Sequence, residues 1–271
     1  MRLEVEATQK AAEHGDAGAQ RKLGVIYFTG NGVPKDDVEA AKWFRKAAEQ
    51  GDAEAQNDLG EMFRDGEGVP EDDVEAVKWF REAAEQGVAA AQLNLGVMYC
   101  TGNGVPKDDG EAVKWWRKAA EQGLVYAQFN LGTMYLNGDG VPEDAVEAVK
   151  WWRKAAEQGD SAAQLNLGVM YIKDEGVPKD YTEALKWYRK AAEQGNAFAQ
   201  YNLGSLHANG EGIPINYVEA YAWWSVAATF GHKGAKQELP TIESTLIPKD
   251  LAAAQKRVDE LFNQIHATKA K

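Results

Sequence analysis

The chain has 271 residues, with 42 acidic against 30 basic side chains and a formal net charge of −12. Nucleic-acid binders need a basic surface to neutralise phosphates, so this balance argues against a nucleic-acid partner. Membrane insertion is also disfavoured, because no apolar run approaches the roughly 18 residues of a spanning helix.

The N-terminal segment, residues 1–15, resembles the second half of a unit that recurs further along. We interpret it as a partial repeat helix, either a natural cap or a truncated repeat. Its first six residues are too charged for a secretion signal. We therefore expect a cytoplasmic location, or a periplasmic or secreted one if an upstream signal was removed. The single Cys100 permits no internal disulfide.

Residues 16–231 repeat with one period. The segment AVKWWRKAAEQG at Ala112–Gly123 returns unchanged at Ala148–Gly159. Its closing glycine recurs every 36 residues, at Gly15, Gly51, Gly87, Gly123, Gly159, Gly195 and Gly231. A fixed period of this size is typical of a solenoid, so we predict six stacked repeats.

The sequence of each repeat predicts two helices. Ala91, Leu95 and Tyr99 share one helical face, and the Gly- and Pro-containing loop 101–106 ends this first helix. The second helix starts at Asp108, which with Glu111 forms a predicted capping box. Its tryptophan doublets and the methionines of the first helix favour core packing; a stacking platform for sugars or nucleic acid is the alternative for the doublets. The methionines are Met62, Met98, Met134 and Met170.

This pattern, from Ala91 and Leu95-Gly96 through the Gly102-x-Gly104 loop to Trp115-Trp116, resembles the Sel1-like repeat, a relative of the tetratricopeptide repeat. The resemblance implies an all-α, right-handed superhelical solenoid of αα-hairpins, with the first helices lining a concave groove. Residues 232–271 would be capping helices and a frayed tail at Ala267–Lys271. Two departures are Asp174 at a loop glycine and His207 at the first-helix aromatic position.

Little in the sequence predicts catalysis. The four histidines show no ligand spacing with one another or with Cys100, so we expect no metal site and no cofactor. The acidic loops lack the ligand spacing of a calcium site. An enzyme is the alternative, because some related bacterial proteins are described as β-lactam or cell-wall hydrolases. Ser161 or Ser205 would then be nucleophile candidates, with no base placed beside either.

The predicted binding surface is the far side of the first helices. In each of the later repeats, three mostly apolar positions and one asparagine lie on this side of the helix. The earlier repeats carry more polar residues at the same positions. An apolar stripe on this side fits either a binding groove or a helix sandwiched among its neighbours. The asparagines fit either contacts to a peptide backbone or hydrogen bonds between repeats. The predicted residues are Leu93, Asn94, Val97, Phe129, Asn130, Thr133, Leu165, Asn166, Val169, Tyr201 and Asn202.

The sequence thus favours a non-catalytic scaffold or adaptor that binds a protein or peptide segment in this groove. Phe129, Leu165 and Tyr201 would be its apolar anchors. A cell-wall or β-lactam-related hydrolase and a passive spacer are the alternatives. We expect a monomer that binds no nucleic acid and does not insert into membranes.

Overall fold

The structure is a computed structural model that describes the backbone of residues 2–269 and the side chains of residues 4–267. Within these limits the fold consists of fifteen α-helices and contains no strand, which confirms the predicted all-α class. The chain divides into two compact units, Met1–Pro142 (unit 1) and Glu143–Lys271 (unit 2).

Unit 1 contains α1 (Arg2–Glu13), α2 (Ala17–Thr29), α3 (Asp37–Glu49), α4 (Ala53–Asp65), α5 (Asp73–Glu85), α6 (Ala89–Thr101), α7 (Asp109–Glu121) and α8 (Val125–Asn137). Unit 2 contains α9 (Ala145–Glu157), α10 (Ser161–Lys173), α11 (Tyr181–Glu193), α12 (Ala197–Asn209), α13 (Tyr217–Thr229), α14 (Lys233–Thr245) and α15 (Pro248–Lys269). From α1 to α8, and again from α9 to α14, each helix packs against the next, as expected for αα-hairpins.

The start of each second helix confirms half of the predicted capping box. Asp108 accepts a hydrogen bond from the Glu111 amide at 3.0 Å. The reciprocal half is wrong, because the Asp108 amide donates to the Tyr99 carbonyl at 2.9 Å and the Glu111 side chain pairs with Lys114. The loop returns the chain to the last turn of the first helix, so a backbone carbonyl takes the place predicted for the glutamate.

The end of each first helix is a left-handed turn. Gly102 has φ +80° there, as the loop glycines predict. Asp174 adopts the same region at φ +62° in unit 2, and aspartate is among the residues that tolerate it. Its carboxylate accepts a hydrogen bond from the Lys179 amide at 2.8 Å, which stabilises the turn. The departure at Asp174 therefore leaves the turn unchanged.

The core of each repeat forms where an aromatic ring lies on a glycine of the first helix. A Cβ on Gly96 would come within 2.4 Å of Trp116 Nε1, and that nitrogen donates to the Leu93 carbonyl at 3.1 Å. The four methionines named above are all buried, which confirms their packing role. Trp151 is 8% exposed and Trp115 is half-buried, so the doublets belong mainly to the core.

Consecutive repeats approach closely at the second loop glycine. A Cβ on Gly104 would lie 2.1 Å from the Asp73 carbonyl oxygen, at the start of the second helix of the preceding repeat. Gly68 stands in the same relation to Asp37, at 2.0 Å. A side chain at these positions would hold neighbouring repeats apart.

A ladder of buried glutamines, which the sequence analysis missed, also connects the repeats. Gln92 Nε2 donates to the Ala84 carbonyl at 3.1 Å, and Gln92 Oε1 accepts from Gln122 at 2.8 Å. At Gln200 the same oxygen is buried and has no partner in the described part of the chain, because Phe230 occupies the position of the donor. The equivalent side-chain pairs are Gln20 with Gln50, Gln56 with Gln86, and Gln164 with Gln194.

The C-terminal helices cover the end of unit 2. Helix α14 follows the first-helix register, and α15 packs against α13 and α11. Arg257 of α15 forms an ion pair with Glu219 of α13 at 2.8 Å. Helix α15 continues to Lys269, and Ala270 and Lys271, the end of the predicted frayed tail, lie outside the described residues.

Candidate interaction surface

The predicted surface of unit 1 lies on α6 and α8, which both pack against α7. We call its residues, Leu93, Asn94, Val97, Phe129, Asn130 and Thr133, the unit 1 face. The side chains of Leu93, Phe129 and Thr133 are half-buried, and Val97 is 37% exposed. The apolar side chains of this face are therefore accessible to solvent in part.

The two asparagines of the unit 1 face differ in their contacts. The Asn94 amide donates to Asn57 at 3.2 Å and to Glu61 at 3.1 Å, and its oxygen accepts from Arg64 at 3.1 Å. These partners lie on α4, so hydrogen bonding between repeats is the role found at Asn94. The Asn130 side chain forms no hydrogen bond with any other described residue.

The unit 2 face, on α10 and α12, consists of Leu165, Asn166, Val169, Tyr201 and Asn202. Leu165 and Val169 are half-buried, and Asn166 forms no side-chain hydrogen bond within the described residues. Tyr201 and Asn202, by contrast, are already engaged inside the chain.

These two residues contact neighbouring helices of unit 2. The Tyr201 ring stacks on His232, with the ring centres 4.3 Å apart. Burial raises the pKa of Tyr188, and the nearby Asn202 side chain opposes that rise. Tyr201 thus also serves to hold α14, which the sequence analysis did not predict.

The nucleophile and metal candidates do not assemble into a site. Among the described residues, no three His, Cys, Asp or Glu side chains are grouped to hold a metal ion. Burial raises the pKa of the Cys100 thiol, which favours its protonated, unreactive form. The Ser205 hydroxyl donates to the Tyr201 carbonyl of its own helix at 3.0 Å. No helix in the described part of the chain is both long and apolar enough to cross a membrane.

His207 is buried at the position where other repeats carry a phenol or phenyl ring. In α10 the equivalent Tyr171 accepts a hydrogen bond from Arg153 at 2.7 Å. Neither ring nitrogen of His207 has a hydrogen-bond partner among the described residues, and burial lowers the pKa of the imidazole. Arg189 and Arg257 lower it further, and Glu219 opposes them. This histidine is therefore neutral and structural at neutral pH.

The family model of the Sel1 repeat matches residues 17–52, 53–88, 89–124, 125–160, 161–196 and 197–232, which is more than half of the chain. A search of curated proteins found no match.

Two solved structures are similar over most of the chain. A Sel1 repeat protein from Oxalobacter formigenes is 37% identical, with a TM-score of 0.69, over 83% of this chain and 94% of that one. The c5321 protective antigen of uropathogenic Escherichia coli strains, which displays an SLR fold, is 36% identical with a TM-score of 0.68. That match covers 96% of this chain, which spans only 63% of the antigen's chain.

Proposed function

This chain belongs to the Sel1 repeat family, and from that premise we propose that it is a non-catalytic scaffold that binds a peptide or protein segment on its first-helix faces. Sel1 repeat proteins are generally protein-interaction scaffolds, and their fold is typically non-enzymatic. In this chain the unit 1 face and the unit 2 face are the proposed binding surfaces.

The observation that carries the proposal is an apolar stripe that is only half-buried. Phe129 and Leu165 sit on different units, and each is partly accessible to solvent. Complete burial of such a side chain is worth about 1.5–3 kcal/mol. Since ordering and association oppose binding, we expect affinities on the order of micromolar for a short segment.

The asparagines support an extended peptide as the occupant. Asn130 and Asn166 each keep a donor and an acceptor that no other described side chain or backbone group uses. An amide of this kind can bond both the N–H and the C=O of a peptide laid beside it. Asn94 is committed to α4, so we assign it a role in repeat stacking and assign the role in peptide binding to Asn130 and Asn166.

The experiment selects peptides from a phage-displayed random library on the full chain and measures their affinity for matched variants. Phe129→Asp places a charge on the unit 1 face. Tyr126→Asp is its control, because Tyr126 is an aromatic on the same helix, 67% exposed, and outside the predicted stripe. Circular dichroism establishes that both variants keep the helicity of the parent.

We expect Phe129→Asp to weaken a selected peptide by about tenfold or more, and Tyr126→Asp to leave its affinity unchanged. Leu165→Asp tests the unit 2 face in the same way. Val146→Asp is its control, because Val146 is an aliphatic side chain on α9, a second helix of unit 2, and is 49% exposed. Equal losses in test and control variants, or no peptide enriched over a blank surface, would contradict the proposal. The second of these results would favour a passive spacer.

A further inference from the structure

A cavity of about 180 Å³ lies in unit 1, lined by residues of α2, α3, α4 and the loop after α4. Its volume far exceeds the about 15 Å³ that holds one water molecule, so it admits a side chain. Half of its lining is apolar and comes from Val25, Phe28, Phe44 and Met62. The other half consists of the carboxylates Asp58, Glu61, Asp65 and Glu67.

The charges of this cavity are not balanced. Asp58 accepts from Arg21 at 2.8 Å, and Asp65 pairs with Arg64 at 2.8 Å. Within the described residues, Glu61 accepts hydrogen bonds only from the neutral amides of Asn57 and Asn94. Four carboxylates against two guanidiniums leave a net charge of −2, which favours a cationic occupant.

The next repeat shows which cation suits this place. One period later, Arg64 stands at the position of Phe28, and Phe80 and Asn94 stand at those of Phe44 and Asp58. The Arg64 guanidinium carbon lies 5.9 Å from the centre of the Phe80 ring, and Arg64 Nη1 donates to Asn94. The chain thus places its own guanidinium over the equivalent ring and against the equivalent acceptor.

Each of the four carboxylates has an uncharged counterpart in that next repeat, although Glu61 itself stands there at the register of Val25. The positions of Glu61, Asp65 and Glu67 are taken there by the uncharged residues Val97, Thr101 and Asn103. Within unit 1, therefore, the excess negative charge lies beside Phe28. The chain has phenylalanine there at the position that Arg64 takes in the next repeat. Lys35 Nζ lies 5.2 Å from the centre of the Phe28 ring, but its charge is balanced by Asp37 at 3.2 Å. The carboxylates of the cavity therefore remain in excess over the guanidiniums, which favours an external cation.

We propose that this cavity binds the guanidinium of an arginine side chain in the partner segment. Phe28 and Phe44 would contact its plane and stem, and Glu61 and Glu67 would accept its hydrogen bonds. A guanidinium suits these walls because it is planar, weakly hydrated, stacks on aromatic rings and forms paired bonds to carboxylates. The inference rests on the proposed scaffold function, of which it specifies one recognised side chain.

The test uses the full chain and two probes of the same shape. The first is the acetylated and amidated tripeptide Gly-Arg-Gly, and the second carries citrulline, the uncharged isostere, in place of arginine. Methyl NMR shifts of Val25 and Met62 report occupation of the cavity. We expect saturable shifts with the arginine probe at millimolar concentration and about tenfold weaker binding of the citrulline probe.

Variants provide a second, independent comparison. Glu61→Gln combined with Glu67→Gln removes both unpaired charges but keeps acceptor oxygens for Asn57 and Asn94. We expect it to weaken the arginine probe by about tenfold, at unchanged helicity. Glu121→Gln combined with Glu157→Gln is the matched control, since these exposed carboxylates lie outside the cavity.

The arginine site would be overturned if the two probes bound the parent equally, or if Val25 and Met62 showed no saturable shifts. Either result would suffice whatever the variants show. An equal loss in the control variant would overturn it too, because the charge effect would then be general. If a peptide still binds through Phe129 in these cases, the scaffold function stands and only the arginine site fails. If no peptide binds there either, both fail.

Discussion

The glutamine ladder predicts a position-dependent stability effect that matched substitutions can measure. Gln92→Leu removes two hydrogen bonds, one to the Ala84 carbonyl and one from Gln122. The Ala84 carbonyl still accepts from the Gly87 amide, and Gln122 still donates to the Gly87 carbonyl. At about 1 kcal/mol for each net bond, plus a partial desolvation penalty, we expect a loss of about 2–3 kcal/mol.

Gln200→Leu is the control for that change. Gln200 donates to the Ala192 carbonyl at 3.0 Å, but no described residue donates to its buried oxygen. Substitution therefore removes one bond and also relieves one unpaired acceptor, so we expect a loss of at most about 1 kcal/mol. The difference between the two positions is attributable to the partner that Gln122 supplies and Phe230 does not.

Urea unfolding followed by circular dichroism measures both variants against the parent. Because repeat proteins can unfold in segments, hydrogen exchange of the α6 and α12 amides should accompany it. Equal losses of stability at the two positions, or a larger loss at Gln200, would refute the reasoning that the ladder stabilises the stack through its paired oxygens.

Three further changes test other parts of the structure. Trp151→Ala removes a nearly buried ring and should cost about 3–5 kcal/mol in thermal unfolding, whereas an unchanged melting temperature would show that the ring is not core. Gly104→Ala should lower the free energy of unfolding in urea by about 2 kcal/mol or more. The residue has a positive φ, and its close approach to Asp73 leaves no room for a Cβ. An unchanged free energy of unfolding would contradict the close approach. The pKa of His207 is lowered in the folded state, so the unfolded state takes up a proton first and stability should fall as the pH drops through about 6.5. His207→Tyr removes this proton uptake and offers a hydroxyl to Arg189, so its stability should vary less with pH between about 7 and 5; an unchanged pH dependence would exclude His207 as the cause.

The helical repeat could be predicted because local signals agree along the whole chain. Asp108 begins a helix, Gly102 ends one, and Gly96 accommodates Trp116. Each of these depends on residues close in sequence or on a strict period. The capping box was half wrong for the opposite reason, since the loop brings the Tyr99 carbonyl to the Asp108 amide and no local pattern shows that approach.

The contacts between repeats were harder to predict. Gln92 and Gln122 are polar residues at two separate registers of one hairpin, and Gln92 also donates to the Ala84 carbonyl of the preceding repeat. That second contact depends on how consecutive hairpins stack. The sequence did contain a usable signal. The position of the second glutamine of each pair is occupied by Phe230 in the last repeat, opposite Gln200. The cavity beside Phe28 was also missed, since the early repeats were interpreted only as more polar, whereas the acidic residues there line an apolar space.

The central claim is that a partner segment lies on the first-helix faces, and photocrosslinking tests it most directly. The photoreactive residue p-benzoylphenylalanine is placed at position 129 in one protein and at position 126 in another, and each is irradiated with a selected peptide. The account predicts a crosslinked product with the probe at position 129 and little or none with the probe at position 126, although Tyr126 is the more exposed of the two side chains. Equal crosslinking at both positions, or crosslinking at position 126 alone, would contradict the claim.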